Sequence, residues 1–330
     1  MPLDHPTRRR AITIFAATAA AAVVGSPAHP ASAQYQWQGQ AMGADAHILF
    51  DGIDAQTARD IAVLVEAEIE RQENALSLFR TNSELCCLNR SGHLSEPSGD
   101  MRRALKLAIE IAVVSGGLFD PTVQPLWEAH VDWFEAHRGA GLPPEDVIAP
   151  ARQAVDWRKI RLEPDAISVG EGQRLTLNGL GQGYVTDRVA ELLVEKGLRH
   201  VLVDLGEQHA ISTRRNGAPW LIERAGAAPI RLAHGALATS EGSGCVLGAN
   251  GAAHHLFDPR SGRSAAHWRT ITVHHRSTAV ADALSTALYI ASEDEIRAML
   301  PRLEGAAVWA TDLECRRSYW SSGLTDGIVS

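Results

Sequence analysis

Three groups of residues in this chain have the types and spacing to do chemistry. Asp282, Ser285 and Thr286 stand at i, i+3 and i+4, so on a helix they share one face. That sets a carboxylate and two hydroxyls side by side. All are hard oxygen donors, which magnesium accepts in small number when phosphate oxygens complete its shell. The plainer reading is a first-turn acid beside two packing residues. Gly179, Gly181 and Gly183 fall within five residues, between an alternating apolar run from Arg174 and a helical pattern through Val185, Val189, Leu192 and Leu193. Such a turn offers backbone N–H groups and a helix N-terminus to a phosphate, or is a tight turn that needs small residues. His254-His255, just before Asp258-Pro259-Arg260, offers a general base. With 14 histidines in the chain, and His274-His275 as a rival pair, any single one is weak evidence. No nucleophile-elbow motif supports a Ser/His/Asp arrangement.

The elements that must position these groups follow from periodicity. Two short strands flank Met42-Gly43-Ala44 between Gln36 and Phe50. Ile61, Leu64, Val65, Ile69 and Leu76 recur at helical spacing over 55–78. Ser83-Glu84 starts a second helix, and a third over 100–115 ends at Gly116-Gly117. The Gly116–Trp127 stretch reads as a structured loop, and 128–156 as a helical insertion around Leu142-Pro143-Pro144. Short strands lie over 161–169. Beyond Glu207, short strand candidates at 210–212, 219–223 and 229–232 suggest an antiparallel meander. A strand over 237–240 leads into a glycine-rich turn, and another over 271–274 precedes an amphipathic helix over 277–292 that carries Asp282. A helix near 293–304 and a strand at 306–310 close the core.

Length and composition bound the answer. The 330 residues can bury a large core. A 45% hydrophobic and 21% charged composition is that of a globular protein. The formal net charge of -8 argues against nonspecific nucleic-acid binding. Residues 1–33 read as a targeting segment: Arg8-Arg9-Arg10, an alanine-rich apolar run over 11–24, and the small-x-small site Ala31-Ser32-Ala33. Paired arginines before a modest apolar run point to twin-arginine export, with an ordinary secretory signal as the alternative. The run is short for a membrane span. The expectation is one domain over 34–330, soluble in the bacterial periplasm. Cys86, Cys87, Cys245 and Cys315 show no C-x-x-C spacing, so zinc and thioredoxin readings are poor. Export permits a Cys245–Cys315 bridge, but free thiols are the simpler expectation.

Strand, glycine turn, helix and a second strand ending in Asp204 also outline a dinucleotide-binding unit. The spacing is G-x-G-x-G rather than G-x-G-x-x-G, and a meander follows, so a Rossmann oxidoreductase is discounted. The motifs taken in order resemble the FAD:protein FMN transferase (ApbE) family over almost the whole chain after the targeting segment. Met42-Gly43, SLFRTNSELCCLN, GGLFDPTVQPL, LTLNGLGQGYVTD, ATSEG, HHLFDPRSG and ADALSTAL each stand where that family has its corresponding element.

The resemblance implies an α+β fold of mixed or antiparallel sheets flanked by helices. It implies magnesium-dependent cleavage of FAD, with FMN transferred to a threonine hydroxyl of a partner flavoprotein and AMP released. A metal between phosphate oxygens and a base for the hydroxyl proton suit phosphoryl transfer. Carried over by position, the metal ligands are Asp282, Ser285, Thr286 and the Gly179 carbonyl. FAD contacts fall on Met42, Phe79, Leu118, Phe119, Asp120, Thr176, Gln182 and Phe257. His255 is the implied catalytic base or phosphate-orienting group. The implied partner is the acceptor flavoprotein, through which alone a membrane would be met.

The chain departs from the pattern at Ala44, Gln124, Thr176 and Gln182. Glu207 replaces the second glycine of a Gly-Gly pair, and Glu241 replaces the glycine after Thr-Ser. Carboxylates near a pyrophosphate weaken nucleotide binding unless they point away. A relative that binds or hydrolyses FAD without modifying a protein is therefore the alternative.

Overall fold

The structure is a computed structural model that describes residues 34–224, 227–248, 251–323 and 327–329. The targeting segment expected over 1–33 lies outside the described residues. Strands β1 (Gln34–Ala41) and β2 (Ala44–Asp51) form a hairpin in register Ala41↔Ala44. Its two-residue loop puts Met42 at φ 52° and Gly43 at φ 82°, the pair of positive values that a tight hairpin with right-handed twist requires. Met42 holds this unusual backbone with its amide bonded to Glu73 Oε1 at 2.8 Å.

Six helices follow before the chain returns to the sheet. Helix α1 (Ala55–Leu76) is capped by Asp54, whose side chain accepts from the Gln56 and Thr57 amides. Of the expected stripe it buries Ile61, Val65, Ile69 and Leu76, with Ala58 and Ala75 beside them, while Leu64 is exposed. Helices α2 (Glu84–Ser91) and α3 (Gly99–Val114) start on Ser83 and Ser98, and α3 is followed by Gly116 and Gly117, both at positive φ. The loop after it gives way to α4 (Gln124–Ala136) at Gln124, four residues earlier than the sequence suggests, with Pro125 in its first turn. Helix α5 is Glu145–Gln153 and α6 is Gly181–Glu195.

The apolar run before the glycines is not a strand. Leu175 and Leu177 are fully buried, yet the Leu175 backbone pairs with a side chain: Asn89 Oδ1 accepts its N–H at 2.7 Å and Asn89 Nδ2 donates to its carbonyl at 2.8 Å. Thr176 N donates to the Pro121 carbonyl. The amide of Asn89 thus supplies what a neighbouring strand would. Alternating burial alone does not distinguish the two.

Six later strands complete the main sheet: β3 (Val201–Asp204), β4 (Gln208–Ala210), β5 (Gly235–Glu241), β6 (Trp268–His275), β7 (Ala307–Asp312) and β8 (Arg317–Ser321). With β1 and β2 they make eight strands, each antiparallel to the next in chain order. Because no two neighbours are parallel, the doubly wound alternative is excluded. The fold is α+β. Helix α7 (Thr278–Ile290) packs against α6, β5 and β6. A hairpin of Trp220–Arg224 and Ala227–Leu232 forms a separate two-stranded sheet, bridged at Leu232 to Ile328, and Trp220, Ile222, Ile230 and Leu232 pack on Leu202, Ala210 and Leu237 of the main sheet. The expected meander is therefore split between the main sheet and this covering hairpin.

Helix α7 is not amphipathic. Ala279, Ala281, Asp282, Ala283, Leu284, Ser285, Ala287, Leu288, Tyr289 and Ile290 are all buried, as in a helix enclosed on every side. Its small residues let β5, β6 and α6 approach closely. Helix α8 (Glu293–Met299) carries a capping box between Ser292 and Glu295. All four cysteines are free: Cys245 is buried and Cys315 exposed, so the pairing that export would permit is not formed.

Candidate functional site

Helices α6 and α7 meet at Gly183. A Cβ there would lie 2.5 Å from the Thr278 carbonyl oxygen and 2.8 Å from Asp282 Cβ, so only glycine allows this approach. The contact lets the Gly183 amide donate to Asp282 Oδ2 at 3.0 Å. This glycine serves helix packing rather than a phosphate turn. Gly181 likewise lies inside α6, with Met42 Cε 3.1 Å from its would-be Cβ. Gly179 alone precedes the helix, beside Thr286, whose Oγ1 would be 3.1 Å from an added Cβ.

The contact borders a cavity of about 890 Å³. Gly179, Asp282 and Thr286 stand on it with Gln182, Glu207, Thr239 and Ser240. Asp282 and Glu207 are each 5% exposed. Burial, opposed by the Gly183 hydrogen bond, raises Asp282 to about 7. Burial first, and the charge of Asp282 next, pushes Glu207 well above the usual carboxylate range. Among the described residues neither carboxylate has an ion pair. A buried carboxylate without a counter-charge is costly, and a divalent cation answers that need. Carboxylate, hydroxyl and backbone carbonyl are the donors magnesium prefers. Among the described residues no three His, Cys, Asp and Glu side chains cluster. The donors present therefore suit a hard cation that takes further oxygens from a substrate, not zinc held by a closed shell.

Other parts of the cavity wall are apolar. Leu118, Phe119, Phe79 and Phe257 line the cavity. Phe119 Cε2 lies 3.2 Å from the Cβ position of Gly179, and Phe79 Cε2 at the same distance from that of Gly43. Phe257 packs on the buried His130 ring, with centroids 4.4 Å apart. Asp120 and Thr176 also face the cavity, but they shape its loops. Asp120 accepts from Thr122 N and Oγ1 and from Trp157 N, and Thr176 Oγ1 accepts from Asn178 N. Gln182 lies over Gly206, whose φ of 105° favours glycine and whose Cβ position is 2.6 Å from Gln182 Nε2.

His255 enters from the loop after β5. Its backbone N and its Nδ1 both reach the Cys245 carbonyl, at 3.1 and 3.2 Å. Nδ1–H is therefore the donor, and a neutral ring presents Nε2 as acceptor. Burial lowers its pKa to about 4, so the ring is neutral at pH 7. His254 turns away to the Ala265 carbonyl at 2.7 Å, which separates the two members of the pair.

Two expected site residues lie behind the wall. Met42 is buried in the core beside Gly181. Ser285 is fully buried; its Oγ donates to the Asp282 carbonyl at 2.9 Å and bonds Ser240 Oγ at 2.7 Å. It is Ser240 that faces the cavity. Sequence reasoning missed Trp127, Glu128 and Arg174 on the cavity's more exposed side, where Glu128 and Arg174 form an ion pair. The signal was available, since Trp127 ends the GGLFDPTVQPLW motif, but the helix that turns it toward the cavity is not legible from the motif.

The ApbE family model matches residues 42–309, which spans every element that builds the cavity. The chain belongs to the ApbE family. Among relatives, it is 27% identical to the FAD:protein FMN transferase of Haemophilus influenzae over 78% of this chain and 80% of that one. It is 24% identical to that of Escherichia coli K12 over 82% of each. The flavin transferase ApbE of Vibrio cholerae superposes with a TM-score of 0.77 at 22% identity, covering 91% of this chain and all of that one. The Pseudomonas stutzeri flavinyl transferase ApbE gives 0.76 at 23% identity, covering 90% and 98%. At these identities the two structures establish the ApbE fold, in agreement with the α+β expectation.

Proposed function

We propose that this protein is a flavin transferase that moves FMN from FAD to a threonine hydroxyl of a partner protein and releases AMP. One observation carries the reading: the oxygen donors of Gly179, Asp282 and Thr286 share a cavity with a neutral His255 and with the apolar walls of Phe79, Leu118, Phe119 and Phe257. The names of the relatives point the same way.

In this reading the apolar walls hold the flavin end of FAD, with Phe79 and Phe119 as packing surfaces for a ring. Gly179, Asp282 and Thr286 hold a magnesium ion, which neutralises charge on the pyrophosphate. The acceptor Oγ attacks the phosphorus of the FMN half, and a P–O bond forms there. The bond from that phosphorus to the bridging oxygen breaks, and AMP leaves with that oxygen. His255 Nε2 takes the hydroxyl proton. Its fixed tautomer leaves that atom an acceptor before the step, and the ring is an imidazolium after it.

Glu207 and Glu241 both line the cavity, which favours a second reading as an FAD hydrolase that modifies no protein. Incubation with FAD, magnesium and a threonine-containing acceptor domain separates the two. Flavin fluorescence covalently on the acceptor supports transfer. AMP release without labelling supports hydrolysis. Asp282→Ala abolishes both; unchanged turnover in that variant overturns the metal assignment. We further propose export by the twin-arginine route to the periplasm, which the basic and alanine-rich start of the chain supports. Loss of export after replacing Arg8-Arg9 with lysines tests it, and persistence of export sinks it.

A further inference from the structure

Glu207 sits in the turn between β3 and β4, where the resemblance expects a glycine. The turn is firmly held. Gly206 takes φ 105° against Gln182, the Glu207 carbonyl accepts from Thr186 Oγ1 at 3.4 Å, and Oε2 accepts from the Thr239 amide of β5 at 3.1 Å. Among the described residues Oε1 has no protein partner. The side chain is 5% exposed and lines the cavity that Asp282 lines.

The surroundings supply no positive charge to this pair. Two arginines line the same cavity, but each is committed elsewhere: Arg174 to Glu128, and Arg90 to the Thr81 carbonyl and Cys87. A second buried carboxyl group beside a first, with no cationic side chain, makes a recess of oxygen donors that lacks a counter-charge and binds a cation by giving up its protons. Thr286 and Gly179, whose Cβ position lies 3.1 Å from Thr286 Oγ1, line the same cavity. An added carboxylate raises the affinity of an oxygen site for a divalent cation, since affinity follows ligand charge count.

We propose that Glu207 is a further protein ligand of the cation site, so that this chain binds a divalent cation before any nucleotide arrives. The inference rests on the reading of Gly179, Asp282 and Thr286 as the metal site. Its consequence is an order of events. In a site with Asp282 as its one carboxylate, the cation leans on substrate phosphate for its remaining ligands. With Glu207 present, the protein supplies two carboxylates and retains the cation between turnovers.

The test uses the full chain without nucleotide, titrated with Mn²⁺ while free Mn²⁺ is followed by electron paramagnetic resonance. The wild type binds one equivalent. Glu207→Gln keeps the acceptor for the Thr239 amide and loses the charge; it weakens binding about tenfold or more. Glu207→Gly, the residue expected at this place, does the same, and guards against a folding defect peculiar to the amide. Thermal melts of both variants in EDTA report folding directly. Asp282→Asn serves as the reference for the site itself. Weakened binding in both Glu207 variants and in Asp282→Asn supports the proposal. Unchanged affinity in the Glu207 variants, with loss in Asp282→Asn, overturns this inference and leaves the metal site standing. Unchanged affinity in Asp282→Asn overturns both. A wild type that binds Mn²⁺ only when FAD is added overturns the inference as well.

Discussion

The Gly183 amide donates to Asp282 Oδ2 at 3.0 Å, across a helix contact so close that a methyl group on Gly183 would meet the Thr278 carbonyl at 2.5 Å. The carboxylate is thereby held by the helix that follows the glycine motif, although it belongs to a helix 99 residues further on. Gly183→Ala is expected to push α6 from α7. The obstacle is backbone and cannot rotate aside, so the expected loss is about 1–3 kcal/mol of stability. Metal-dependent activity should fall further than stability alone explains. Urea melts alongside turnover at saturating magnesium check this; normal values of both would refute the packing role.

Asp187 secures the other end of the same arrangement. Its carboxylate accepts from Thr278 N at 2.7 Å, Ala279 N at 3.0 Å and Ser277 Oγ at 2.6 Å, and it contacts His209 Nδ1 at 3.2 Å. Burial acts to raise its pKa, but these bonds hold it below the ordinary value. It therefore anchors the N-terminus of α7 from α6. Asp187→Ala should destabilise the fold by about 1–3 kcal/mol. Because the folded pKa is depressed, the stabilisation is present above the unfolded value of 3.8 and is lost as pH falls through the folded one. The gap between wild type and variant in thermal melts should narrow from pH 7 to pH 3; an unchanged gap would refute the ionised anchor.

His274 tests burial in the core of the sheet. It is 2% exposed, and burial lowers its pKa to about 4 from 6.5. The unfolded chain therefore takes up a proton first as pH falls. Stability from this group is complete above 6.5 and is lost between 6.5 and 4, by about 2 kcal/mol at pH 5. The raised carboxyls Asp282 and Glu207 act with the opposite sign, so the slope of the variant against the wild type is the relevant measure. His274→Gln should flatten the fall in stability between pH 7.5 and pH 5 by about that amount; parallel curves would rule it out.

His255 as the acceptor of the hydroxyl proton predicts a low acid limb. With a pKa of about 4 it stays neutral through the neutral range, so kcat/KM for transfer should not decline near 6.5. His255→Ala should lower transfer by about 10²- to 10⁴-fold while FAD binding, followed by flavin fluorescence, is retained. Equal losses of binding and transfer would instead assign the ring a binding role.

Much of the framework was legible in the chain itself. The cap at Ser83 and most of the apolar stripe of α1 act within one or two turns, so local physics places them. The strand expected before Gly179 failed because its hydrogen-bond partner is Asn89, 86 positions away, and burial alone gives the same alternation. The amphipathic expectation for α7 failed for a related reason. Its alanines read as a weak face, whereas the sheet and α6 enclose them on all sides.

The site divides in the same way. Spacing by itself determined that Asp282 and Thr286 share a helix face, and motif order determined which loops belong together with it. Only the tertiary structure decided that Gly183 is a packing residue and not a phosphate contact, and that Ser285 bonds Ser240 behind the cavity wall. It also decided that Glu207, read from the sequence as an intrusion, stands buried beside Asp282. Periodicity reports neighbours within one element. Which elements meet, and how closely, is set by the packing of side chains distant in sequence, and the charge balance of a buried recess exists only once that packing is complete.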